Sequence, residues 1–225
     1  RTVVEIFAEH WPYSMQVGGL TLVFAFPIGL GLGILSAMKQ DTWVDRAITI
    51  SMVVIQALPS FIFALFLKLI FAVKLHWLPT QGWAGPATWV MPVLANSLGP
   101  ILTLQRYTRG AVADAMGADY VRTARAKGLS ERRVTLVHIF KNALTPVITV
   151  GGPMVANLIT GSFFVEGIFR ISGLSSYLGG AIGNRDYPMI MASTMFYTAF
   201  MTLAYLITDL AYAAIDPRVT YVKAR

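Results

Sequence analysis

The stretch DYVRTARAKGLSERR, residues 119–133, places seven charged side chains in fifteen positions of a chain that is otherwise mostly apolar. The whole sequence of 225 residues is 56% hydrophobic and 13% charged, with a mean hydropathy of +0.62. Such a balance puts it in the membrane class, with the charged stretch lying between two long apolar runs.

A hydrocarbon layer takes roughly 20 apolar residues of helix to cross. Five stretches qualify, near residues 16–38, 47–73, 88–105, 142–165 and 188–213. They leave no room for a separate soluble domain, so residues 1–225 read as one all-α, polytopic membrane bundle. If the spans alternate, one side receives Lys39, Arg46, Arg106, Arg109, Arg122, Arg125, Lys127, Arg132, Arg133, Lys141, Arg218, Lys223 and Arg225, thirteen of the 18 basic residues. The other side receives Arg1, Lys68, Lys74, Arg170 and Arg185. The positive-inside bias makes the first side cytoplasmic, with the C-terminus inside and the N-terminus outside. An outside start at Arg1, with no preceding export signal, leads to the expectation that at least one further span precedes it.

The first run carries PIGLGLGILSA, where Gly29, Gly33 and Ala37 share one face at a spacing that lets two membrane helices approach closely. The second contains Pro59, expected to kink it. KLHWLPTQGWAGPATW, residues 74–89, reads as an outer loop with an interfacial tryptophan belt of Trp77, Trp83 and Trp89. The segment between spans four and five is too polar and glycine-rich to cross. There Ser175 or Ser176 is expected to cap a short helix ending near Gly183, and Pro188 to open the last span. Gln56, Asn96 and Asn157 lie at membrane depth, where polar side chains either line a solute path or bond helix to helix.

In the charged stretch, Asp119 is expected to cap a two-turn helix that Gly128 stops, with Ser130 capping the next. Two turns are too few to stand alone in water, so something must hold this helix. Its apolar face is thin for a headgroup-seated helix, and it has no aromatic platform for nucleic acid. A protein groove fits best, and Ala124 is expected to face it.

Chemistry within the chain is excluded on other grounds. It has no cysteine, no GxxxxGK[ST] phosphate loop, and three histidines, His10, His76 and His138, on separate segments. An ion-coupled transporter or channel working alone is the alternative function. It would place paired charges near mid-membrane, where only Lys68 and Asp209 stand well inside the runs.

ADYVRTARAKGLSERRV followed by KNALTPVITVGG resembles the cytoplasmic signature loop of binding-protein-dependent ABC importer permeases, in their dipeptide, oligopeptide and nickel branch. GSFFVEGIF with a later GL, NRDYP at 184–188 and DPRV at 216–219 agree with it, so the resemblance covers essentially the whole chain. The general family pattern begins Glu-Ala-Ala. Here Arg122, Thr123 and Ala124 stand in those places, with Gly128 at the later glycine, a replacement usual in the peptide branch. FRISGL stands where the branch often has an aromatic-proline pair, which leaves dipeptides, longer peptides and nickel chelates open as solutes.

The resemblance implies a MetI-like, type I importer transmembrane domain, with five spans present of a family complement of six, in a bacterial or archaeal inner membrane. It implies four kinds of neighbour: a second permease subunit, two cytoplasmic ATPase subunits, an extracytoplasmic solute-binding protein and membrane lipid. Nucleic acid is not among them. It also implies that this chain binds no cofactor, ATP and magnesium belonging to the ATPase subunits. Within a cytoplasmic loop at about 106–141, the coupling helix would comprise Asp119, Tyr120, Val121, Arg122, Thr123, Ala124, Arg125, Ala126, Lys127, Gly128 and Leu129.

The topology makes a prediction. In intact cells, cysteines introduced at Gln81 and Ser176 react with an impermeant thiol reagent, and one at Ser130 does not. The opposite labelling pattern overturns the orientation.

Overall fold

The computed structural model describes residues 2–215, which contain helices and turns and no strand. The DPRV motif and the basic residues of the tail lie outside the described residues. Helix α1 spans Val3–Met38 and is joined by a short turn to α2, Trp43–Gln56. Next come α3, Ser60–Leu67, extended by a wider π-helical stretch through Lys68–Lys74, and α4, Pro86–Gly117. The charged stretch forms α5, Asp119–Ala126, and α6, Glu131–Arg133, which runs through a second π-helical stretch, Val134–Phe140, into α7, Lys141–Thr160. Two short helices, α8 Phe163–Ile168 and α9 Leu174–Gly183, precede the final α10, Tyr187–Ile215.

Four stretches are long and apolar enough to cross a membrane, and α2 with α3 makes a fifth if that bent pair is one span. The first is longer than the 16–38 run. Thr2 accepts a hydrogen bond from the Glu5 amide (3.3 Å) while the Glu5 carboxylate accepts one from the Thr2 amide (3.1 Å), and this reciprocal cap starts the helix at Val3. At about 1.5 Å per residue its 36 residues measure ~54 Å, more than the hydrocarbon layer requires.

The bundle is built on α1. Its buried face runs through Ser14, Gly18, Thr21, Ala25, Gly29, Gly33 and Ala37, small residues at steps of three or four. Gly29 and Gly33 meet α4 so closely that a Cβ on Gly33 would lie 2.6 Å from Thr108 Cβ and 2.8 Å from the Gln105 carbonyl oxygen. Two helices with lipid around them gain little from burying oil against oil, so this backbone-level fit supplies the association. Asn96 adds a bond across the same interface, its amide donating to Thr21 Oγ1 at 3.3 Å. Helix α7 packs on both α1 and α4, and α10 lies outside α7. Large apolar side chains are left exposed on the outside of the bundle, such as Ile50 and Val54 on α2 and Met195, Leu206 and Ile207 on α10, as suits helices in an apolar surrounding.

The proline in the second run does more than kink it. Pro59 itself is extended (φ −56°, ψ 138°), a proline ring disfavours helical backbone at the residue before it, and α2 and α3 meet at 93°. On the far side of this break Lys68 donates to the Ile168 carbonyl at 2.7 Å, tying the second run to α8.

The polar segment after α7 closes over one end of the bundle around Glu166, which is fully buried. Its carboxylate accepts from Ser14 Oγ (2.8 Å) and from the amides of Ser162 (3.3 Å) and Ser176 (3.2 Å), so one side chain joins α1, α8 and α9. The cap of α9 is therefore not a serine. The Ser176 hydroxyl donates back to the carbonyls of Ile171 and Gly173, and Gly173 occupies the cap position. Ser176 is half-buried, so Gln81, which is exposed, carries the labelling test on this side. Pro188 does fall in the first turn of α10, where Asp186 Oδ1 accepts from the Met189 amide at 3.1 Å.

Gly33→Leu lowers the unfolding midpoint of the purified chain in detergent by several degrees, since overfilling a packed interface costs about 1–3 kcal/mol. Gly31→Leu, with nothing within 4 Å of its Cβ, leaves the midpoint in place. Equal midpoints for the two variants contradict the α1–α4 contact.

Candidate functional site

At the end of the bundle where the basic residues collect, α4 gives way to α5 through one extended residue, Ala118 (φ −72°, ψ 147°). Ala118 thereby takes the cap position expected for Asp119. Asp119 is instead the first helical residue, its carboxylate exposed and 3.6 Å from Arg122, a favourable place for negative charge in a first turn. The chain then turns a corner at Gly128, whose φ of +75° is a conformation that side chains with a Cβ rarely adopt. The helix itself ends at Ala126, and Lys127, Gly128 and Leu129 form the corner. Ser130 stands at the start of α6 without a side-chain capping bond.

What holds so short a helix is the chain's own core. Val121 is 0% and Ala124 4% exposed, and they pack in one cluster with Ala37 of α1, Val112 and Ala115 of α4, and Val134, Ile139 and Ala143 beyond the corner. Ala124 thus does not face a partner's groove. A face of alanine and valine has the same pattern whether the chain's own helices or another molecule's cover it. Arg125 locks the corner, donating through Nε to Glu131 Oε1 (2.8 Å) and through Nη2 to Oε2 (3.2 Å). This bond holds the Glu131 carboxyl below the usual carboxylate range, so the exposed pair is intact at neutral pH and opens as acid protonates Glu131. Facing outward from this braced unit are Tyr120, Arg122, Thr123, Arg125, Ala126 and Lys127, all exposed.

A second cluster near the same end was not visible in the sequence. Asp45, in the first turn of α2 and 3% exposed, receives Arg109 of α4 through two bonds of 2.7 Å, the Ser36 hydroxyl of α1 and the Asp41 amide at 3.2 Å. It ties the end of α1 and the start of α2 to the inner part of α4. The two members of the pair stand 64 residues apart, and the first-turn aspartate reads equally well as a simple dipole partner.

The three polar residues at membrane depth separate. Gln56 ends α2 and lines a cavity between α2 and α4. Asn96 bonds helix to helix, as above, and Asn157 lies exposed on α7. Lys68 and Asp209 do not form a pair: Lys68 bonds the Ile168 carbonyl, and Asp209 lies exposed on α10.

An apolar bundle of helices long enough to cross a membrane, with a braced, charged elbow at one end, is the architecture of a membrane-embedded component. Residues 29–221 match the family described as the binding-protein-dependent transport system inner membrane component, and the chain belongs to that family. Among its relatives, the dipeptide transport system permease protein DppB of Bacillus subtilis is 38% identical over 97% of this chain and 71% of its own length. The oligopeptide transport system permease protein OppB of Escherichia coli is 37% identical over 98% of this chain and 72% of its own. The fold is that of a chain of the inward-facing MetNI methionine ABC transporter (TM-score 0.76, 13% identity, covering 95% of this chain and 97% of that one). A chain of an amino acid ABC transporter crystallised with histidines is also similar (TM-score 0.69, 14% identity, 94% of each chain).

Replacing Gly128 with Val strains the corner by about 1–3 kcal/mol. It speeds tryptic cleavage after Arg125 and Lys127 in inside-out vesicles, while Gly128→Asn, which tolerates positive φ, stays close to the parent. Unchanged cleavage of the Val variant contradicts a stored left-handed corner.

Proposed function

We propose that this chain is the membrane-spanning subunit of an ATP-driven importer. With a second permease it forms the path for peptides or a related solute handed over by an extracytoplasmic binding protein. Its likeness to permeases named for dipeptide and oligopeptide transport supports the solute class. Two ATPase subunits on the side of the basic residues supply the energy. ATP and magnesium are bound there, and the C-terminus lies on that side. An autonomous ion-coupled transporter is disfavoured by the family and by the separation of Lys68 from Asp209.

The observation that carries the mechanism is the elbow. Helix α5 is short, buried on one side against its own bundle and locked by Arg125 and Glu131, so its outward face is a rigid projection. Seated in a groove of an ATPase subunit, such a projection moves with that subunit, and through Ala118 it moves α4. Tyr120, Arg122, Thr123, Ala126 and Lys127 are the contacting side chains in this reading, with Val121 and Ala124 as the anchor.

The test uses the exposed Ala126, because substitution at the buried Ala124 disturbs the permease itself. Ala126→Trp keeps the chain in the membrane at the parental level and lowers ATPase co-purification or peptide uptake at least tenfold, about 1.4 kcal/mol of lost coupling. Tryptophan is welcome at a headgroup layer, so a helix lying on lipid would tolerate it. Parental membrane level, co-purification and uptake together would refute the coupling role.

A further inference from the structure

The cavity between α2 and α4 has a volume of about 360 Å³. Its wall is lopsided in chemistry. Thr49, Gln56, Thr103, Gln105, Arg106 and Arg109 contribute to it, and no acidic residue does. Arg109 is already occupied, both of its bonds going to Asp45. Arg106 has no carboxylate within ion-pair distance among the described residues, and its guanidinium lies 5.7 Å from the Tyr107 ring centre. Gln105 is 4% exposed, and its amide nitrogen is buried without a hydrogen-bond partner. Leaving a buried donor unmade costs about 1–3 kcal/mol, so such a group marks a place where an acceptor belongs.

A free cation next to an orphaned amide donor, with hydroxyls on both walls, is complementary to an acceptor-only group. A carboxylate accepts at two oxygens, taking Arg106 at one and, once the buried Gln105 side chain turns toward the cavity, its amide at the other. The same chemistry could come from a lipid phosphate, but depth argues against it. Asp45 lies in the first turn of α2, and its partner Arg109 already stands eight residues, ~12 Å, inside the end of α4. Gln105 lies one turn further into the bundle, and Gln56 lies eleven residues beyond Asp45, ~16 Å along the helix.

We propose that this cavity is an oxyanion site on the solute path, which receives the free C-terminal carboxylate of a peptide during its passage. The inference rests on the peptide-permease reading above. One free cation and one neutral donor make a weak station, as transit requires, since a solute held tightly at one point would not leave.

The chain has no cysteine, so single reporters at Thr103 or Thr49, on opposite walls, are clean. The experiment uses the assembled transporter in phosphatidylcholine nanodiscs. It compares modification by an anionic sulfonatoethyl and a cationic trimethylammonioethyl methanethiosulfonate, each normalised to a free thiol. In Thr103→Cys the anionic reagent is favoured about tenfold, and adding Arg106→Gln abolishes the preference. Millimolar trialanine as the free acid slows the modification, its C-terminal amide does not, and Gln105→Leu removes the protection. Thr49→Cys gives the same pattern if Thr103→Cys is not assembled. Equal protection by the amide, protection by neither peptide, or a charge preference that survives Arg106→Gln overturns the proposal. So does protection that appears without peptide when phosphatidylglycerol is added, which would make the site a headgroup site. Peptide uptake by the parent transporter is measured in parallel. Absence of uptake counts against the permease reading itself, whereas uptake with no carboxylate-specific protection counts against this site alone.

Discussion

The structure depends on how closely α1 and α4 approach. Gly29 and Gly33 remove the side chains that would hold the two backbones apart, and Thr108, Leu104 and the Gln105 carbonyl fill the space. From this contact the arrangement of the basic end follows. It sets Ser36 of α1 and Arg109 of α4 around Asp45, and it places Ala37 beside Val112 and Ala115, the floor on which Val121 and Ala124 rest. A wider spacing would leave α5 without a seat and Asp45 a buried charge without a partner, which is far costlier than an exposed one.

Polarity is distributed by the same logic at both ends. At one, a buried carboxylate, Glu166, gathers the hydroxyl of Ser14 and the amides of Ser162 and Ser176, so that glycine-rich loops unable to cross a membrane are stitched to helices that do. At the other, Asp45 gathers α1, α2 and α4. Between them the helices bond sparingly, as Asn96 does with Thr21. The fixed points are thus at the rims and the packed small residues in the middle.

How much of this was legible in the sequence depended on whether the determinant was local. The stripe of Gly29, Gly33 and Ala37 could be read from spacing alone, because helical geometry fixes which residues share a face. Gly128 could be read as a left-handed corner because a short polar helix must stop there. Pro59 was seen as a disturbance, but its size was not, since the 93° break also reflects where α3 must go to meet α8. The cap at Asp119 was misplaced by one residue because α4 runs on to Gly117 and leaves Ala118 alone to turn the chain. Ala124 was assigned to a partner because small apolar residues do not say whose surface covers them. The Asp45–Arg109 pair and the unpaired amide of Gln105 had no local signature at all. Both are products of helices brought together from distant parts of the chain.

One consequence lies in the length of α4. Its 32 residues form one helical rod of ~48 Å, with Pro92 and Pro100 in its outer half, that carries the braced elbow at one end and the outer tryptophan loop at the other. Gln105 and Arg106 stand on it, some three turns from the elbow. A tilt of only ~5° about the rod's midpoint displaces each end by about 2 Å, more than a hydrogen bond tolerates. Packed against α1 at its waist, where Leu104 and Thr108 seat over Gly29 and Gly33, the rod has a fulcrum. From that waist to the elbow it holds no proline, so Gln105, Arg106 and α5 move as one arm.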